Sequence, residues 1–297
     1  MSAERPAPLA PRDLIVAAIV NLVWGLNIIA VKMSVEAVPP LAAGGLRLLV
    51  VLLVCISWLR VVPGRMRLLV TLGLLNGALF LIFVNLSLRV SDNVSALAIA
   101  GQLGVPFSLI LGVVFLKERI ALPRLIGIAM SFGGVVLLVF DPAVVGEVAG
   151  LLLTTLGTLA FAIGSLLQRR LAGVPVLTLY AWIGLIGAAV LFAMSAVMEP
   201  GAIARLPDLR LGDFGWILFS ALGSTMMGQV GMAWLLQRHP IATVMPLTLG
   251  SPVIAVLASS LAFGTVLTPL MIVGGMITMT GVAIITLRSA RPARPVP

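Results

Sequence analysis

The sequence predicts an all-α membrane protein of ten transmembrane helices, arranged as two inverted five-helix repeats around a central cavity. Three observations predict it: an extreme apolar composition, ten apolar runs with short connectors, and a pattern of glycine and proline that recurs 146 residues later. Of 297 residues, 61% are hydrophobic and 10% are charged, and the mean hydropathy is +1.21. A soluble domain is about half apolar and a quarter charged, so lipid must solvate much of this chain. Each bilayer crossing takes roughly 20 residues, and ten crossings leave no room for a soluble domain.

The runs follow one another with clear boundaries. The first, 13–35, follows a polar, Pro-rich start. No small-residue cleavage site follows it, so it reads as a retained helix and not a removed signal. The second, 41–59, begins after Pro39-Pro40 and ends at Arg60. The third and fourth, 67–88 and 92–116, are bounded by Arg67, Arg89, Asp92 and Lys117. The fifth, 123–140, starts at Pro123 and stops at Asp141. The sixth, 147–168, ends at Arg169-Arg170, and the seventh, 176–198, begins after Pro175 and meets Glu199. A longer connector leads to the eighth, 213–236. The ninth and tenth, 240–263 and 269–288, begin at Pro240 and Pro269. Runs of this length in lipid must pair their backbone groups internally, and no period-2 alternation of a barrel is present, so helices follow.

Charge sets the orientation. With the N-terminus in the cytoplasm, 14 of the 19 bases fall on cytoplasmic segments and three, Arg89, Arg205 and Arg210, on external loops. Such an excess predicts both termini inside, which requires an even number of spans. A net charge of +9 is therefore a membrane-orientation signal and not a nucleic-acid footprint. Cys55 is the single cysteine, which excludes an intramolecular disulfide and a cysteine-rich metal site.

At a shift of 146 residues, Gly77-Ala-Leu-Phe falls on Gly223-Ser-Thr-Met, Leu103-Gly-Val-Pro on Leu249-Gly-Ser-Pro, and Pro123 on Pro269. One residue more puts Gly127 on Gly274 and Gly134-Val135 on Gly281-Val282. Five spans per copy is odd, so the second copy enters the membrane from the other face, as in many secondary transporters whose site lies between the halves. The expected division is 1–143 for the first repeat and 144–297 for the second.

Trp24-Gly25-Leu26-Asn27, Arg47, the stretch from Leu103-Gly-Val-Pro to Phe115-Leu-Lys-Glu-Arg119, and Gly127 to Gly134-Val135 resemble the EamA-type drug/metabolite transporter superfamily. The resemblance covers nearly the whole chain as two repeats, and the chain looks most like the aromatic amino acid exporters within it. It implies ten helices, cytoplasmic termini in a bacterial inner membrane, a central cavity, and export of aromatic and other neutral amino acids.

Read on their own, the polar residues of the spans indicate which helix faces look inward, because polar groups in lipid turn to protein or cavity. Trp24 and Asn27, Phe161 and Ser165 with Gln168, Thr225 and Gln229, and Gln102 with Ser95 recur at helical spacing. The repeat-mates Leu79 and Phe83, and Met245 and Thr248, share the same treatment. Converging, these faces form a substrate site of amides, hydroxyls and rings suited to a zwitterion with an apolar tail. Equally, such residues hydrogen-bond neighbouring helices. Pro106, Pro246 and Pro252 kink their helices, and Pro106 and Pro252 are candidate gating points. The small-residue pairs Gly127/Ser131 and Gly274/Thr278 read as helix packing, within the protein or across a weak homodimer; a monomer fits as well.

Lys32 and Glu36 read as an i,i+4 pair at the external end, with Lys32 otherwise snorkelling to the interface or attracting a substrate carboxylate at the outer mouth. Arg47 reads as a snorkelling or a cavity residue, and Lys117-Glu118-Arg119 as an interface anchor. His239 has no second histidine for a metal site or triad. No carboxylate lies mid-span, which argues against strict proton coupling and against lipophilic cations as cargo. No set of groups for an intramembrane hydrolase is present, so the chain reads as no enzyme, with no cofactor; its partners are a small-molecule substrate and the lipid bilayer.

Overall fold

The computed structural model describes residues 10–116, 120–239 and 241–289; the Lys117-Glu118-Arg119 anchor lies outside them. Every long element is helical: α1 (Pro11–Ala37), α2 (Pro40–Trp58), α3 (Met66–Val90), α4 (Val94–Phe115), α5 (Leu122–Val139), α6 (Val145–Arg170), α7 (Val176–Met198), α9 (Thr243–Phe263) and α10 (Pro269–Leu287). Among the described residues these nine are long and apolar enough to cross a membrane. Residues 211–236 form a further unbroken helical rod, α8, less apolar because Ser220, Ser224, Thr225 and Gln229 interrupt it. Proline opens α1 and α2, where its missing N–H is not needed.

The packing has a two-fold pattern. Helix α1 lies against α8 and α9, and its counterpart α6 lies against α3 and α4. Helix α2 pairs with α7, α4 with α9, and α5 with α10, as expected for two inverted copies. The α5–α10 contact depends on glycine. A Cβ on Gly134 would stand 2.5 Å from the Gly274 carbonyl oxygen, and one on Gly281 the same distance from that of Gly127. These small residues therefore pack within one chain, as an internal scaffold.

The two faces of the bundle differ. Arg12, Arg60, Arg65, Arg67, Arg124, Arg169, Arg170 and Arg238 gather where α1 begins, here called the basic end. Most of the described acids sit at the other end, and two of them hold amides at helix starts. Glu199 accepts from the Leu41 and Ala42 amides at 2.8 and 3.0 Å and is held by the Ser195 hydroxyl at 2.8 Å. A carboxylate there suits the positive N-terminus of α2. Glu147 accepts from the Asp92 amide at 3.1 Å. A buried cluster including Val35, Val38, Leu88, Val94, Ile217 and Met271 closes this acidic end.

Two irregularities recur in both halves. Helix α3 widens to a π-helix over Gly73–Leu79, and α8 does so over Phe219–Met227; Phe219 stands 146 residues after Gly73. Helix α4 tightens to a 3-10 turn at Gly101–Leu103, and α9 is interrupted at 248–249, between Ile241–Leu247 and Gly250–Phe263. These breaks also match at 146. The second halves open Gly104-Val-Pro106 and Gly250-Ser-Pro252, so each proline sits in a first turn, where no donor is missed, while the turn before it loses its regular bond.

Candidate functional site

The breaks in α4 and α9 face a central cavity of about 1000 Å3. Its wall takes Trp24 and Asn27 from α1, Phe80, Val84 and Ser87 from α3, and Gln102 from α4. Helix α6 adds Thr154, Thr158, Phe161 and Ser165, and α9 adds Met245, Thr248 and Pro252. The cavity reaches the basic end at Arg124, Arg169 and Thr286 and stops at Val31 and Leu88. No carboxylate belongs to the wall among the described residues.

Beyond that floor lies Lys32, only 5% exposed. Its ammonium donates to the carbonyls of Leu88 at 2.9 Å and Ser91 at 2.7 Å, with Glu36 3.4 Å away. The i,i+4 pair is present, but Lys32 neither snorkels nor faces an outer mouth; it ties α1 to the C-terminal end of α3, where carbonyls lack helical partners. Near the basic end, His239 Nε2 and Asp13 Oδ2 meet at 2.9 Å, both buried. His239 thus has a carboxylate partner from the start of α1, 226 residues away and not readable from either stretch alone. Among the described residues no group of three or more potential metal ligands gathers.

The wall is polar on one side. The Trp24 indole N–H donates to the Ser224 carbonyl at 3.1 Å, and Ser220 Oγ donates to Asn27 Oδ1 at 2.7 Å. Gly228 makes room for this indole, since a Cβ there would overlap the indole nitrogen. Asn21 Nδ2 donates to the Leu247 carbonyl at 2.7 Å, satisfying a group that the break in α9 frees. Across the cavity the wall is aromatic and hydroxylic, with Phe80 and Phe161 ring centroids 5.1 Å apart. Thr158 and Ser165 donate to carbonyls of their own helix, leaving hydroxyl lone pairs as acceptors.

Of the sequence-predicted residues, Trp24, Asn27, Gln102, Phe161, Ser165, Met245, Thr248 and Pro252 meet at this wall. Leu79, Phe83, Thr225, Gln229 and Pro106 are not part of it. Leu79 is 38% exposed on the outside of the bundle, and Phe83 packs on Gly157. One residue away, Phe80 and Val84 take the inward positions. The π-helix changes the angular step per residue, so a phase read at 3.6 residues per turn slips. Thr225 accepts from the Arg47 guanidinium at 2.9 Å and donates to the Ser220 carbonyl at 3.0 Å, which places it behind the wall. Ser95 joins Ser259 at 2.9 Å and Thr265 at 3.0 Å as a link between α4 and α9. Phe80, Thr154 and Thr158 were missed; extending the Phe161/Ser165 face of α6 backward by helical spacing would have found the threonines.

The model of the EamA-like transporter family matches the chain twice, over residues 12–140 and 148–287. A protein of Escherichia coli (strain K12) named "Probable amino-acid metabolite efflux pump" is 27% identical over 286 residues, covering 93% of this chain and 95% of its own. An "Uncharacterized transporter" of Archaeoglobus fulgidus is 28% identical over 279 residues, covering 91% and 97%. A solved crystal structure superposes with a TM-score of 0.64 at 18% identity, covering 94% of this chain and 98% of that one, a likeness of fold.

Proposed function

From the premise that the chain belongs to the EamA-like transporter family, we propose that it exports amino acids, aromatic and other neutral ones, by alternating access. The observation that carries this reading is the two-sided cavity: the Trp24 indole and Asn27 amide of α1, held from behind by α8, on one side, and the Phe80–Phe161 pair on the other. A zwitterionic head fits the first and an apolar or aromatic tail the second. The Escherichia coli relative's name supports an amino-acid metabolite as cargo. The chain is a multi-pass membrane protein, and the proposed setting is a bacterial inner membrane with the basic end in the cytoplasm.

In this reading the repeats, 1–143 and 144–297, rock around the cavity, and the breaks beside Pro106 and Pro252 act as bending points. Gln102 and Thr248 stand on those breaks and Met245 one turn before the second, and all three touch substrate with Trp24, Asn27, Phe161 and Ser165. Leu79, Phe83, Thr225 and Gln229 act from behind the wall. The absence of a wall carboxylate among the described residues supports facilitated flux without strict proton coupling. A second reading, favoured by Arg124 and Arg169 at the mouth, is export of an anionic small metabolite.

Uptake of labelled tryptophan, phenylalanine and threonine, with lysine as control, into liposomes holding the purified protein tests the proposal. Saturable uptake of the neutral amino acids that ignores an imposed pH gradient is the expected result. Absence of uptake for all of them would overturn the amino acid reading, and inhibition by a phosphorylated metabolite would favour the second.

A further inference from the structure

Arg47 sits in the interior of α2, and no acidic side chain pairs with it among the described residues. An ionised side chain at such depth is unfavourable unless it is engaged. Its guanidinium is engaged by α8, not by lipid headgroups or the cavity: it donates to Thr225 Oγ1 at 2.9 Å. Thr225 in turn donates its own proton to the Ser220 carbonyl at 3.0 Å, a bond spanning five residues inside the π-helix. A regular α-helix carries hydroxyl bonds to the residue three or four back; reaching five back depends on the wider turn.

Ser220 is the hinge of the arrangement. Its carbonyl is fixed by Thr225 and its buried hydroxyl donates to Asn27 Oδ1 at 2.7 Å. With Oδ1 occupied, the Asn27 amide presents Nδ2 as its free end, and Asn27 lines the cavity. Nδ2 donates to no protein atom among the described residues. A donor aimed into a cavity recognises an acceptor.

We propose that Arg47 is a positioning residue that acts through Thr225 and Ser220 to fix the Asn27 amide, so that Nδ2 meets the carboxylate of the substrate. This rests on the amino acid reading for its ligand, and on the hydrogen bonds alone for the network. The cation also gives the arrangement a sign: a carboxylate bound at Asn27 sits on the side of the cavity backed by a positive charge. Nothing equivalent exists in the first repeat, where the positions matching Ser220 and Thr225 are Leu74 and Leu79. The head of the substrate is therefore met by Asn27 of α1, braced from behind by the second repeat's α8, and its tail by Phe80 of α3 and Phe161 of α6.

Two measurements test this, one independent of transport. Melting midpoints of the purified wild type, Arg47→Met, Asn27→Ala and the double variant give the coupling between the two ends. The network predicts non-additivity of about 2 °C or more. Uptake is then compared for tryptophan and for N-acetyltryptophanamide, an uncharged analogue that lacks the carboxylate. Arg47→Met and Thr225→Val are expected to raise KM for tryptophan about tenfold at nearly unchanged kcat, the loss of one oriented bond to a charged group. KM for the uncharged analogue stays level, and Arg47→Lys, which can still donate to Thr225, restores most of the loss. Additive melting shifts overturn the proposal whatever the protein carries. Equal KM changes for both probes overturn the assignment to the carboxylate. Coupled melting with no uptake of either probe by the wild type leaves the network standing and defeats the amino acid reading instead.

Discussion

Replacing Lys32 with Met should loosen the closed end of the bundle. The ammonium makes two charge-assisted hydrogen bonds, to Leu88 and Ser91, and lies 3.4 Å from Glu36. Bonds of this class contribute roughly 1.5–3 kcal/mol each, but burying the ammonium opposes them by several kcal/mol. Met fills the same volume without either term. The net loss to the closed arrangement is therefore about 1–2 kcal/mol, which multiplies the population open at that end by roughly tenfold. A cysteine at Ile28, just inside the cavity floor, reports it in a Cys55→Ala background. An impermeant maleimide is added from the face opposite the basic end. The labelling rate should rise about tenfold with Lys32→Met, while the melting midpoint stays within a few degrees. An unchanged rate would refute the reasoning, since the clamp would then hold nothing shut. A rise matched by collapse of the melting transition would assign Lys32 to folding alone.

Three further expectations follow from the same geometry. Phe161→Ala, which removes half of the Phe80–Phe161 pair, should raise KM for tryptophan about three- to tenfold, the range of one aromatic contact; threonine should change little, and equal losses would argue against a tail site. Gly228→Leu should displace the Trp24 indole and reduce uptake at least about tenfold, an overpacking effect of the usual 1–3 kcal/mol; uptake at wild-type rates would show that Trp24 is dispensable. Gly134→Val should force α5 from α10 and lower the melting midpoint by several degrees, on the order of 2–4 °C per kcal/mol, detectable by scanning fluorimetry in detergent; an unaltered midpoint would mean the helices have slack.

Much of the fold was legible because lipid imposes a coarse, long-range pattern. Apolar runs, their charged boundaries and the 146-residue recurrence gave the helices and their inverted order. The recurrence even located both helix breaks, since Leu103-Gly-Val-Pro and Leu249-Gly-Ser-Pro carry them. Less of the site was legible. Trp24, Asn27 and Gln102 stand out as polar or amphipathic groups in apolar runs, and they reach the wall. Leu79 and Phe83, paired by the recurrence with Thr225 and Gln229, stand outside the wall as those two do, and the one-residue offset to Phe80 and Val84 leaves no mark in hydrophobic periodicity. Thr225 and Arg47 lie 178 residues apart in sequence, and nothing local in either stretch announces the other. Lys32 was placed in the right pair, but its carbonyl partners are backbone groups, which every sequence offers everywhere.

The two-fold arrangement of the helices has one more consequence. Helices α2 with α7, α4 with α9, and α5 with α10 each meet their own counterpart, so these three contacts survive if the halves trade conformations. What would change is α1 on α8 and α9 against α6 on α3 and α4. Imposing on each half the internal shape of the other should generate a mirror-sense molecule, shut where Arg124 and Arg169 now stand and hollow where Lys32 now lies. Under the alternating-access proposal, the opposite-facing shape would be encoded in the difference between the halves, with these three interfaces kept.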